Sequence, residues 1–458
     1  MSIYSLFLNK HKQDLSVNIF NKEKYGEIFT PFHLIEKMFD LLPSSVFSNQ
    51  NLKWLDPCAG RGAFGIILYR RLFKGLITEI KEPIKRHHHI IKNMIFMVEI
   101  NPTHMAYLYS LFGEKLNIIN DNYLDYTNLN FDIIVGNPPF NVDGFIKPPT
   151  KKYVNKKHDG KAIWRDFIIN SIDNLDNDGI LLMITPSMWM KKDDKLFEFI
   201  KKSGHLNKIH TLTNTETNKI FNKQAQTPTC YFVLNKRKPI KNDIFKPIKN
   251  DIFIWDNINL NYYKYLLNLS LPLKNISIIS KIFPYTKKYS NIPTFKTNMP
   301  FKKIHLSPVK TQSFPYQNIS TCIQKQSKPT LIINYSNYPC KFFGTPKIVL
   351  AHKMHGMPYY DISGEYGISN RDNYVIMGYS HVDFLKIMKF LSSKLIAAVF
   401  DSTRYRMMYL EKYAFDFIPD ITKIKYFPED IKENTIADFF QLNSKERNYI
   451  KTHKTYIF

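Results

Sequence analysis

Asn137-Pro138-Pro139-Phe140 directly follows the apolar run Phe131-Asp132-Ile133-Ile134-Val135-Gly136. A short β-branched run ending in Gly reads as a buried strand of a parallel sheet, and such sheets place ligands at the carboxyl ends of their strands. The two prolines fix two φ angles and remove two N–H donors. What remains is a rigid loop that presents the Asn137 amide and bare carbonyls to a cleft. That equipment suits the grip of a planar amine, a poor nucleophile because its lone pair is delocalised into the ring. The Asn137 amide oxygen and the Pro138 carbonyl accept hydrogen bonds from the amine and draw its nitrogen towards a tetrahedral geometry, while Phe140 stacks on the ring. Positioning of this kind supplies roughly 7–11 kcal/mol of barrier reduction, so no strong general base is required. The bland alternative is a Pro-Pro loop that merely closes a strand.

A second string, Asp56-Pro57-Cys58-Ala59-Gly60-Arg61-Gly62-Ala63-Phe64-Gly65, follows the strand-like Leu52-Lys53-Trp54-Leu55 and precedes the apolar Ile66-Ile67-Leu68. A strand, a glycine-rich turn and a helix form the nucleotide-binding corner of a Rossmann-like unit. Gly60 and Gly62 let backbone approach a ligand closely. The string lacks the Gly-x-Gly-x-x-Gly spacing and opens on an acid, so a pyrophosphate is a poor guest and a cationic ligand a good one.

The two strings resemble signatures of the N6-adenine-specific DNA methyltransferases, Asn-Pro-Pro-Tyr/Phe and Asp-Pro-x-x-Gly-x-Gly-x-Phe. Their order, cofactor string first and a long remainder after both, resembles the gamma class, of type II restriction-modification kind. The resemblance implies S-adenosyl-L-methionine as cofactor, held by Asp56, Pro57, Gly60 and Gly62, and an extruded adenine held by Asn137, Pro138, Pro139 and Phe140. Upstream, Tyr25-Gly26-Glu27-Ile28-Phe29-Thr30-Pro31 runs into His33 to Phe39. Thr30 is a candidate cap for that helix, with Pro31 at its first position, and the resemblance sets Thr30 at the carboxylate end of the cofactor. The apolar Met94 to Val98 ends in Glu99, an acid placed to take two ribose hydroxyls. It lies further from the glycines than the usual ~20 residues because Lys81 to Asn93 intrudes. That insertion contains His87-His88-His89, read as a solvated basic loop rather than a metal site, since no Cys or acid cluster accompanies it. By resemblance Asp121 contacts the cofactor's adenine, with Asp125 as competitor, and Phe221 offers a second aromatic face to the extruded base.

Between Asp143 and Lys161 the chain is basic and lacks apolar periodicity; Lys151 and Lys152 are candidates for ordering this loop against phosphates. Ala162 to Ile169 reads as an amphipathic helix, Gly179 to Ser187 as a buried strand closed by Pro186, and Thr227 to Leu234 as a hairpin strand closing the sheet. The expected architecture is α/β: a Rossmann-like methyltransferase domain over residues 1–237, a linker at 238–256 where an octapeptide is duplicated, and a basic mixed α+β target-recognition domain over 257–458. From Asn257 to Tyr360 there is no Asp or Glu but there are 14 lysines, interleaved with aromatics. This is the footprint of a phosphate-binding surface. Coding bias explains Lys over Arg; it does not explain the missing acids.

The net charge of +25 over 458 residues points to polyanion binding with steep salt dependence. No apolar run reaches the length of a membrane span, Met1 to Lys24 carries no signal-peptide pattern, and the four cysteines read as reduced thiols, so a cytoplasmic protein is expected. Double-stranded DNA is the expected partner of a monomeric chain, with room for a separate restriction endonuclease. Alternatives sharing the Asn-Pro-Pro pocket are RNA adenine-N6 and protein glutamine-N5 methyltransferases, and an inactive DNA-binding relative. No residue pattern reads out a recognition sequence.

Overall fold

A computed structural model of the chain describes residues 19–143, 161–225, 227–236, 252–255, 258–261, 269–325, 328–352, 356–405 and 409–453. The chain divides into two compact units, Met1–Asn268 and Leu269–Phe458.

In the first unit, helices α1 (Ile19–Tyr25) and α2 (Phe32–Phe39) precede strand β1 (Trp54–Asp56). Then follow α3 (Ala63–Gly75), α4 (Pro83–His89), β2 (Ile95–Val98), α5 (Pro102–Phe112), β3 (Asn117–Ile119) and β4 (Phe131–Gly136). A short ladder pairs β5 (Asn141–Val142) with β6 (Lys161–Ala162). The chain continues through α6 (Trp164–Asp173), β7 (Leu175–Pro186), α7 (Lys195–Ser203), β8 (Gly204–Leu212), α8 (Asn214–Ile220), β9 (Thr229–Lys236), β10 (Ile252–Trp255) and β11 (Ile258–Asn261).

One sheet in the order β11-β10-β8-β9-β7-β4-β1-β2-β3 holds this unit together. β3, β2, β1, β4 and β7 run parallel, and β9 lies antiparallel between β7 and β8. The strand order reverses between β1 and β4, which is where an open parallel sheet opens a crevice at its carboxyl edge. Sequence dictates the corner. β1 is buried along its length, with Trp54 stacked on Phe47 at 5.5 Å and edge-on to Phe39 at 6.3 Å. α2 turns Leu34, Ile35, Met38 and Phe39 into the same cluster, each worth roughly 1.5–3 kcal/mol on full burial. Gly62 starts α3 at φ +77°, in the left-handed region, and a Cβ there would press on Leu108 and Phe112 of α5. Only glycine allows the turn and that packing together.

The expected helix, buried strand and hairpin strand appear as α6, β7 and β9. Three local details differ from expectation. Residues 81–93 are not a loop: α4 and a π-turn over Ile90–Met94 bury Arg86, Ile90, Ile91 and Met94, because apolar residues follow the histidines at helical spacing. His87 Nδ1 meets the Tyr69 hydroxyl at 2.9 Å, and His89 Nε2 the Gln50 carbonyl at 2.9 Å. Thr30 does not cap α2, whose N-cap is Pro31 without a side-chain bond; its hydroxyl is engaged elsewhere. Finally, β10 and β11 extend the sheet beyond Lys236, and the unit boundary falls at 268/269.

The second unit contains α9 (Ile276–Tyr289), β12 (Phe295–Lys296), β13 (Leu306–Ser307), β14 (Tyr316–Lys325), β15 (Lys328–Ser336), β16 (Lys347–Ala351), β17 (Gly356–Asp361), β18 (Gly367–Ile368) and β19 (Asn373–Met377). Helices α10 (His381–Leu391), α11 (Lys394–Ser402), α12 (Glu433–Phe439) and α13 (Ser444–Lys451) follow. The strands form two four-stranded sheets, β12-β19-β16-β17 and β13-β15-β14-β18. The helices pack around aromatic side chains, Phe390, Phe427, Phe439 and Phe440 among them. Under β16, Lys347 and Asp361 form a fully buried ion pair at 2.5 Å. Among the described residues no helix is long and apolar enough to cross a membrane.

Candidate active site

At the carboxyl edge of the first unit's sheet lies a cavity of about 400 Å³. The stretch before α2, the glycine turn after β1, the loops after β2 and β3, the Asn-Pro-Pro loop after β4, and α6 all line it. Its position at the β1/β4 reversal is the one that sheet topology dictates.

Three of these loops are locked to one another. Gly26, at φ +67°, packs its α-carbon against the Asn141 carbonyl and Pro139, where a Cβ would have no space. The Asn137 amide nitrogen donates to Thr30 Oγ1 at 3.0 Å and to the Ile28 carbonyl at 3.4 Å. The Ile28 contact orients the amide, since a carbonyl can only accept. Asn137 Oδ1 is then left buried with no partner, at a cost of about 1–3 kcal/mol for an unmade bond. A spare acceptor on a residue lining a cavity is what an incoming N–H group needs.

Glu99 closes the glycine turn. Its Oε2 accepts from the Gly60 N–H at 2.6 Å and its Oε1 from the Asn101 N–H at 2.8 Å, so the carboxylate is fixed by two backbone donors. Asp56 is 4 % exposed; one oxygen accepts from the Cys58 N–H at 3.2 Å and the other has no partner. Burial, with the Glu99 charge adding to it and the Cys58 bond opposing, pushes its carboxyl up to about 7. The Cys58 thiol is also driven well up by burial and by Asp56 and Glu99. Asp121 is exposed at the cavity, and its carboxyl is held low by the Asn122 N–H and the Tyr126 hydroxyl.

Of the residues singled out from sequence, the cavity brings together Thr30, Pro57, Gly60, Glu99, Asp121, Asn137 and Pro139. Asp56, Gly62, Pro138 and Phe140 belong to the same loops without lining it. Phe221 does not approach it: at 3 % exposure it sits in the hydrophobic core with Leu212, Tyr231 and Val233. An aromatic at the end of an amphipathic helix and before a central strand is drawn to the core by its apolar area. Lys151 and Lys152 lie outside the described residues. Sequence reasoning missed Glu27, Phe29, Arg61, His104 and Phe167, all of which line the cavity. His104 is one turn into α5, on the face that the Asn101 cap and Pro102 turn towards the sheet edge; no spacing in the chain marks it.

The sheet order and the cavity at its switch point define a Rossmann-like α/β domain. Residues 66–221 match the Eco57I restriction-modification methylase family, in keeping with the resemblance carried by the two motifs. The chain is 24% identical over 294 residues to an uncharacterized adenine-specific methylase of Mycoplasma pneumoniae, a match covering 45% of this chain and 66% of that one. To the type II restriction enzyme and methyltransferase RM.Eco57I of Escherichia coli it is 33% identical over 136 residues, covering 27% and 13%. Less than two thirds of either relative is spanned. Among solved structures, the M protein of the type I restriction enzyme EcoKI superposes with a TM-score of 0.34 at 18% identity, over 46% of this chain and 44% of that one.

Proposed function

We propose that this protein transfers a methyl group from S-adenosyl-L-methionine to the exocyclic N6 of an adenine in DNA. The observation that carries the reading is the Asn137 amide, anchored through its nitrogen and left with a buried, unpartnered oxygen at the cavity. The cavity residues fit the cofactor: Glu99 offers a fixed carboxylate to a ribose diol, and Gly60 and Pro57 present backbone without bulk; Asp56, at the end of the strand that leads into the same turn, keeps Oδ2 without a partner. When bound, the cofactor supplies an electrophilic methyl on a sulfonium. Asn137 Oδ1 and the Pro138 carbonyl accept from the adenine amine and hold its nitrogen in line, Pro139 keeps the loop rigid, and Phe140 stacks on the base. Extruding the base costs a few kcal/mol, offset by these contacts. The Phe221 position in the core removes it from this set of proposed contacts.

The second unit, with the acid-free and lysine-rich stretch before Asp361, is proposed as the target-recognition part and double-stranded DNA as its partner. Lys151 and Lys152 are proposed to meet phosphates beside the target base. A monomeric cytoplasmic enzyme, alone or beside a separate endonuclease, fits this reading.

The test is transfer of labelled methyl to unmethylated genomic DNA, with total RNA in parallel, followed by nucleoside digestion. N6-methyldeoxyadenosine is the expected product. Label in RNA alone moves the substrate, label in protein glutamine moves it further, and no label with cofactor still bound overturns the enzymatic reading.

A further inference from the structure

His104 is set between two buried carboxylates. Its Nε2 lies 3.1 Å from Glu27 Oε1 and its Nδ1 3.5 Å from Glu99 Oε1, with side-chain exposures of 7 %, 8 % and 7 % for His104, Glu27 and Glu99. All three line the cavity. A neutral imidazole has one N–H and one lone pair, so it would turn a lone pair towards one of the two carboxylates. Both contacts are ion-pair approaches without hydrogen-bond alignment, and with an acid facing each ring nitrogen the imidazolium is the form the site favours. Burial works against that charge, but Glu27 and Glu99 outweigh it and raise the ring to about 9. The other charged groups near it are Arg61 on the glycine turn, 4.6 Å over the Phe29 ring that tilts towards His104 at 6.5 Å; Asp56, which feels the Glu99 charge; and Asp121 at the cavity.

We propose that His104 is a positioning residue whose imidazolium ties Glu27 to Glu99 and so holds the Glu99 carboxylate in place for the two hydroxyls of a ribose. This rests on the reading of the cavity as a nucleoside-cofactor pocket. Glu27 belongs to the stretch that also carries Ile28 and Thr30, the anchors of Asn137. The imidazolium therefore links the ribose end of the cavity to the loop that grips the amine. Without it, Glu27 and Glu99 face each other as two buried acids with no cation between them, a costly arrangement. One then takes a proton or turns away, and Glu99 loses its fixed position on the Gly60 and Asn101 N–H groups.

The experiment is calorimetric binding to the full chain, without methyl transfer. S-adenosylhomocysteine tests the cavity; 5′-methylthioadenosine, which has a ribose and no amine titrating near pH 9, and its 2′,3′-dideoxy counterpart test the coupling. His104→Gln is expected to weaken 5′-methylthioadenosine about tenfold or more, as loss of one partner of a buried charge pair does, and the dideoxy compound far less. Glu27→Gln keeps a hydrogen-bonding side chain and serves where His104→Gln misfolds. In that variant the NMR titration of the His104 ring is expected to move down from about 9, and the alkaline loss of 5′-methylthioadenosine affinity to move down with it. An equal loss on both nucleosides, or a His104 titration unmoved by Glu27→Gln, overturns the coupling while the cavity reading stands. A wild-type chain that binds none of the three compounds overturns both.

Discussion

Two buried aspartates, one in each unit, are treated in opposite ways. Asp361 in the second unit is 2 % exposed and fully satisfied: Lys347 Nζ at 2.5 Å, the Glu365 N–H at 3.0 Å and the Tyr366 N–H at 3.1 Å. Burial draws the Lys347 ammonium down and Asp361 resists it, leaving a self-contained pair. Asp56 in the first unit is as deeply buried but keeps one oxygen without a partner, and Asn137 on the cavity also holds an unbonded oxygen. Burial costs a polar group unless it is bonded. Complete satisfaction therefore marks Asp361 as part of the scaffold, whereas the Asn137 acceptor is spare at a cavity, where the proposed ligand would complete its bonding. A second contrast concerns reach. Glu27 and Glu99 of the cavity are enclosed, whereas the second unit's Lys302 and Lys303 are exposed, so their charge reaches about a Debye length into solvent.

The largest expected break in this comparison is Asp361→Ala, which strands Lys347 and costs about 3–5 kcal/mol of stability, read by chemical denaturation. Phe221→Ala is expected to cost about 3–5 kcal/mol as well, while the folded fraction keeps its KM for DNA. A selective rise in that KM with unchanged stability would instead return Phe221 to the base. Asn137→Ala removes the spare acceptor together with the donor to Thr30 Oγ1 and the Ile28 carbonyl, so stability is expected to fall by about 1–3 kcal/mol while kcat falls about 10²–10³-fold.

Asp56→Asn sharpens the contrast by its sign. The folded carboxyl stands at about 7, above the unfolded value of about 3.9, so the folded state binds the proton more tightly. Wild-type stability therefore declines as pH rises from about 4 to about 7 on this group's account. The amide is expected to abolish that decline, adding on the order of 2–4 kcal/mol at pH 8 and weakening S-adenosylmethionine; denaturation at pH 5 and pH 8 and calorimetry check both. The smallest effect belongs to Lys302→Ala with Lys303→Ala. DNA affinity is expected to fall uniformly across sequences, with the slope of log K against log salt reduced by about one per lysine that contacts phosphate.

Much of the first unit was legible because its chemistry is local. The strand-turn-helix corner at Asp56 to Gly65, the strand into Asn137 and the acid at Glu99 each lie within a dozen contiguous residues, and each emerges where alternation and glycine placement set it. What stayed hidden depends on contacts between distant residues. Glu27 meets Glu99 and His104 only because the stretch between α1 and α2 lies against the residues that follow β2 and open α5. Thr30 looked like a helix cap because its neighbours obey capping rules; its hydroxyl instead serves Asn137, 107 residues away. Phe221 and the histidine run were misplaced for a shared reason: an aromatic or a basic run near an apolar helix goes wherever the apolar face takes it. In the second unit the pairing of eight strands into two sheets depends on contacts that no contiguous run of residues displays.

The insertion of β9 between β7 and β8 has a consequence for synthesis. Every residue that lines the cavity has been synthesised once β7 is complete at Pro186, yet the strand that covers the β7 edge ends only at Lys236. Over those 50 residues, a few seconds of elongation at about 5–20 residues per second, an apolar central strand offers an unpaired edge to any neighbour on the same messenger. Yield of this protein should therefore depend on how quickly ribosomes pass that interval and how closely they follow one another.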